Sequence, residues 1–110
     1  MKASEQGWLL MGKELYTIND IANILKPIFE SNHVRKAVLF GSYSTGKQNE
    51  NSDIDLLVDS GLKGLSFYGL LEDVVEAIGV NVDMIDISQV VPDSQIDKEI
   101  QRTGILIYKG

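Results

Sequence analysis

Four consecutive apolar residues, Ala37-Val38-Leu39-Phe40, run into Gly41-Ser42 and are followed by ten residues dominated by Gly, Ser, Thr, Asn and other polar types. A short run with no polar face reads as a strand buried on both sides, and the glycine ends it abruptly. A buried strand needs neighbours in a sheet and layers to cover it, so an all-helical or extended chain is excluded. The neighbours are legible. Ile54-Asp55-Leu56-Leu57-Val58 is a second strand with Asp53 at its mouth, Val80–Ile87 a third, and Ile105–Tyr108 a last one.

Helical periodicity fills the intervals. Thr17-Ile18-Asn19-Asp20 has capping-box spacing, with Asp in place of the usual Glu, and Ile21, Ile24, Leu25, Ile28 and Phe29 follow on one face. Pro27 is expected to kink that helix or start a new turn, and Asn32-His33 is its exit. Leu65, Leu70, Leu71, Val74, Val75 and Ile78 form a second apolar face that Gly79 terminates. Pro92-Asp93-Ser94 opens a short final helix ending near Gly104. The order is α-β-(α)-β-α-β-α-β, a single small α/β (α+β) domain with a mixed β-sheet packed by helices. Residues 17–110 form the domain, and 1–16, including Trp8-Leu9-Leu10-Met11, are expected to be a flexible N-terminal extension.

Composition narrows the function classes. At 110 residues there is room for one core. Sixteen acidic against ten basic residues leave a net charge of −6, which disfavours a whole-molecule grip on nucleic acid. The absence of cysteine removes disulfides, thiolate metal sites and Cys nucleophiles. No stretch approaches the roughly 20 apolar residues of a membrane span, and no secretory signal pattern opens the chain, so a cytoplasmic location is expected.

Two pieces of chemistry lie close together. The glycine after the first strand lets the backbone turn tightly and lets a ligand approach. Amides at the start of a following helical turn favour an anion such as phosphate, with the Ser42 hydroxyl adding a hydrogen bond. Asp53 and Asp55, at i and i+2 on one strand, project from one face with Cα atoms about 7 Å apart. Like charges at that spacing need a counter-charge, and a hard divalent cation with oxygen ligands, Mg²⁺ where phosphates bind, supplies it. Asp83, between Val82 and Met84, is a carboxylate in an expected buried run that needs a reason to be there. If the second and third strands are neighbours it completes a three-carboxylate cluster able to hold two metal ions. Asp86 competes for that third position, though its side chain should face the other way. His33, Arg35, Lys36, Lys63, Glu72, Asp73 and Glu76 are read as solvated, and Tyr43, Phe67 and Tyr68 as core or rim packing.

Gly41-Ser42, ten residues, then Asp53-Ile54-Asp55, with Val82-Asp83-Met84-Ile85-Asp86 later, resembles the signature of the DNA polymerase beta-type nucleotidyltransferase superfamily. More narrowly the chain resembles the minimal nucleotidyltransferase (MNT) antitoxins, with a likeness that spans residues 18 to 109. The resemblance implies that Gly41 and Ser42 bind nucleotide phosphates, and that Asp53, Asp55 and Asp83 bind Mg²⁺ and are catalytic. It implies transfer of AMP from ATP to a hydroxyl, a tyrosine of a partner HEPN toxin, within a hetero-oligomeric toxin–antitoxin pair. Two Mg²⁺ ions would bring the formal charge to about −2. The family often has arginine where Thr45 stands, so a charge-assisted phosphate contact is missing, and Lys47 could replace it in part. The rival class is an antitoxin that neutralises by binding alone. A small-molecule transferase would need a second domain to hold its acceptor.

Overall fold

The computed structural model describes residues 16–110, so the expected extension lies, apart from Tyr16, outside the described residues. The elements are α1 (Ile18–Ser31), β1 (Lys36–Phe40), α2 (Ser42–Thr45), β2 (Ile54–Asp59), α3 (Leu65–Ile78), β3 (Val82–Asp86), α4 (Gln95–Thr103) and β4 (Ile105–Lys109). A single 3-10 turn over Ile87–Gln89 follows β3.

The capping box forms as the spacing predicts. Thr17 Oγ1 accepts from the Asp20 amide at 3.1 Å, and Asp20 Oδ2 accepts from the Thr17 amide at 2.9 Å. These bonds satisfy amides that the first helical turn leaves without partners. The helix then runs through Pro27 as one element, and its Ile21, Leu25 and Phe29 are buried. Tyr16 joins the fold directly, because its hydroxyl donates to the carbonyl of Ile78 at 2.6 Å.

The sheet is mixed, in the order β3-β2-β1-β4. β1 pairs antiparallel with both β2 and β4, while β2 and β3 are parallel. Parallel neighbours require a crossover, and α3 provides it. Strand alternation then sorts the side chains. Ala37, Leu39, Ile54, Leu56, Val58 and Met84 join α1 and α3 in one core with Leu70, Val74 and Ile78. Phe40, Asp55, Leu57, Asp83 and Ile85 fall on the opposite face by register, and α4 packs against β1.

β3 is shorter than the expected Val80–Ile87, because Asp86 ends it by capping the 3-10 turn. The Asp86 side chain is buried. Its Oδ1 accepts from the amide and hydroxyl of Ser60 at 3.0 and 2.6 Å, and its Oδ2 from those of Ser88 at 2.9 and 2.6 Å. Burial alone would raise its pKa, but the Ser60 and Ser88 donors outweigh it and hold the carboxyl down to about 2. Asp86 is therefore a structural cap on the core side of β3.

A carboxyl held below its unfolded pKa stabilises the fold above that pKa, and the contribution is lost as pH falls from about 4 toward 2. Asp86→Ala is expected to cost about 2–4 kcal/mol in urea unfolding at pH 7, since it strands the buried Ser60 donors and removes the acceptor of the Ser88 pair. The same variant should show a weaker loss of stability between pH 4 and 2 than the parent.

Candidate active site

β1 leaves the sheet at Gly41, whose φ of +77° and ψ of −150° belong to a backbone region that side chains rarely enter. A Cβ at this position would collide with the Asp55 carboxylate, whose Cγ would lie only 3.3 Å away. Glycine is thus required twice, by conformation and by the closeness of β2. Across the antiparallel pair Phe40 faces Asp55, so the turn between β1 and α2 sits directly against that carboxylate.

The turn is locally well braced. Ser44 Oγ donates to the Gly41 carbonyl at 2.8 Å, and Thr45 Oγ1 approaches the carbonyls of Gly41 and Ser42 at 3.4 and 3.3 Å. Thr45 is thereby turned back onto its own helix. Ser42 remains half-exposed, and among the described residues no group pairs with its hydroxyl. Lys47, the nearest following cation in sequence, is exposed. Tyr43 points the other way into the core, where burial raises its pKa.

The carboxylates assemble by register. Parallel pairing sets Asp55 opposite Asp83, and Asp53 immediately precedes β2. Asp55 is half-buried, whereas Asp53 and Asp83 are exposed. The expectation that Asp83 lies in a buried run is therefore corrected. β3 is an edge strand whose Val82 and Met84 turn inward while Asp83 looks outward, so its position demands no desolvation. Its link to the site is the pairing with Asp55.

Burial, and then the charges of Asp83, Asp53 and Glu99, push the Asp55 pKa up to about 6. Glu99, on α4, brings a fourth negative charge from across the site. Among the described residues no three His, Cys, Asp or Glu side chains are gathered around one point as a ready metal cage. The donor chemistry is nevertheless that of a hard divalent cation: oxygen only, strongly anionic, and mutually repelling without a counter-charge.

Thr103 escaped the sequence reading. Its Oγ1 accepts the buried Gly41 amide at 3.0 Å and donates to the Glu99 carbonyl at 2.8 Å. Nothing local could reveal it, because it lies 62 residues from Gly41 in the last turn of a short polar helix. Surface grooves also lie away from these carboxylates. One of about 660 Å³ follows α3 along Leu65, Tyr68, Leu71 and Val75, and none of the site carboxylates lines it.

Comparison with known proteins supplies the context. The family described as polymerase beta, nucleotidyltransferase, matches residues 23–110. A Methanocaldococcus jannaschii protein, provisionally named a protein adenylyltransferase, is 36% identical over 68% of this chain and 83% of its own length. A crystal structure of a toxin–antitoxin with AMP-PNP superposes with a TM-score of 0.69 at 25% identity, over 81% of this chain and 73% of the other. The complex of tri-AMPylated Shewanella oneidensis HEPN toxin with MNT antitoxin shares the fold, with a TM-score of 0.65 at 19% identity over 86% and 74% of the two chains.

Because the Asp55 pKa is raised on folding, its ionisation opposes the folded state. Stability should fall as pH rises from about 4 to about 6 and stay lower above that. Asp55→Asn is expected to flatten this limb and to stabilise the metal-free protein at pH 7 by on the order of 1–2 kcal/mol, allowing for solvent screening of a half-buried group. Urea titrations at pH 4, 5, 6 and 7 measure both.

Proposed function

The chain belongs to the polymerase beta nucleotidyltransferase family, among its minimal members, and we propose that it transfers AMP from ATP to a hydroxyl of a partner protein. The partner in this reading is a HEPN toxin, the acceptor a tyrosine, and the setting a cytoplasmic toxin–antitoxin pair. The name of the Methanocaldococcus relative and the toxin–antitoxin likenesses support it. Among the described residues, no helix is long and apolar enough to cross a membrane.

One observation carries the assignment of residues: the Asp55–Asp83 pairing across β2 and β3, set against the Gly41 turn. Gly41 and Ser42 would hold the triphosphate, Gly41 by leaving room and Ser42 by its hydroxyl. Asp53, Asp55 and Asp83 would hold Mg²⁺, two ions in this reading, which when bound neutralises triphosphate charge and eases departure of pyrophosphate. The acceptor oxygen bonds to the α-phosphorus, the bond from that phosphorus to the bridging oxygen breaks, and pyrophosphate leaves. In this reading Asp83 accepts the proton of the attacking hydroxyl. No side-chain nucleophile is required, since positioning and electrostatics carry this class of reaction.

A second reading, neutralisation by binding alone, is favoured by one feature. Thr45 stands where related chains often carry arginine, and its hydroxyl is folded back onto the carbonyls of Gly41 and Ser42. Among the described residues, the first cation that follows the turn in sequence is Lys47, which is exposed.

Asp53→Asn and Asp55→Asn are each expected to reduce ATP-dependent AMP transfer to the co-expressed partner at least a hundredfold with the fold retained, as judged by intact-mass measurement and circular dichroism. Neutralisation by these variants with no change in partner mass would establish the binding-only reading instead. Millimolar Mg²⁺ should raise the thermal midpoint of the parent at pH 7 and leave that of Asp55→Asn unmoved.

A further inference from the structure

β1 lies between β2 and β4, and its pairing with β4 stops at Leu39 opposite Ile105. Gly41 is two residues further on, where β4 has already given way to Gly104 and the end of α4. The Gly41 amide thus faces a place where the sheet no longer offers a carbonyl. The Thr103 hydroxyl fills it, at 3.0 Å and with little exposure to solvent. The polarity of that bond is set by the second one. The single hydroxyl hydrogen of Thr103 is committed to the Glu99 carbonyl at 2.8 Å, so a lone pair is what Gly41 meets.

We infer that Thr103 is a positioning residue for nucleotide binding: its hydroxyl locks the Gly41–Ser42 turn in the orientation that receives the triphosphate. This rests on the reading of Gly41 and Ser42 as the phosphate turn. Glycine at φ +77° can leave its conformation more easily than any other residue, so the turn needs an external constraint. Its carbonyl is held from within α2 by Ser44, but its amide is held only by α4, an element remote in sequence. Without that bond the peptide between Phe40 and Gly41 is free to rotate toward water to satisfy its N–H, and Ser42 moves with it.

The test compares Thr103→Val, nearly isosteric but without the hydroxyl, with Thr103→Ser, which keeps it. Each is titrated with a non-hydrolysable ATP analogue and Mg²⁺ in a calorimeter, after circular dichroism and urea unfolding show that it is folded. Thr103→Val is expected to weaken analogue binding about tenfold, and Thr103→Ser to restore it to within about threefold of the parent. In transfer assays the KM for ATP should rise in the valine variant while kcat stays close to that of the parent. A folded valine variant with parental affinity overturns the inference. So does a loss that serine fails to rescue, or one that appears only in kcat in proportion to unfolded protein. A parent that fails to bind the Mg²⁺–analogue pair overturns the phosphate-turn reading and this inference with it. Parental binding without any transfer removes only the transferase reading.

Discussion

Everything at the site follows from a repulsion that the fold refuses to relieve. Asp55 is held on β2 between two paired neighbours, facing Asp83 in register, with Asp53 before it and Glu99 beyond. The carboxylates cannot separate without breaking a ladder that the hydrophobic core underneath holds in place. Ile54, Leu56 and Val58, alternating with Asp55, are all inaccessible to solvent and packed by α1 and α3. The same strand that builds the core therefore builds the charge cluster, and the Asp55 pKa is raised first by burial and then by the neighbouring carboxylates. A cation would relieve the repulsion, and a site that is costly to the empty protein is poised to gain from a ligand.

β3 carries the contrast within five residues. Asp83 and Asp86 differ by an odd number of positions, so the pleat sends them to opposite faces. Asp86 turns to the core side and meets the amides and hydroxyls of Ser60 and Ser88, which hold it ionised to about pH 2. Asp83 turns outward and meets another carboxylate. The carboxylate that is fully satisfied does structural work, and the one left facing a like charge is the one proposed for the site.

Much of this was legible in the chain itself. The capping box at Thr17, the apolar stripe of α1, the glycine that ends β1 and the spacing of Asp53 from Asp55 are local patterns, and local sterics and hydrogen bonding suffice to realise them. The expected burial of Asp83 was not realised, because a run of apolar residues does not reveal whether a strand is central or at an edge. The end of β3 is set by Asp86, which caps the 3-10 turn through Ser88 and Gln89, while the carboxylate's other partner, Ser60, comes from another strand's end. Thr103 was invisible for the same reason: a threonine in a helix's last turn has no pattern that announces a glycine 62 residues earlier.

The chain's periodicities and glycines dictated which segments became helices and strands and which residue types would meet at a turn, since those choices depend on neighbours within a few positions. Strand order, the parallel pairing that sets Asp55 against Asp83, the outward face of Asp83 and the grip of Thr103 on Gly41 were decided by tertiary packing. They depend on which faces of distant elements are buried together, and burial is a property of the assembled layers that no short stretch of sequence contains.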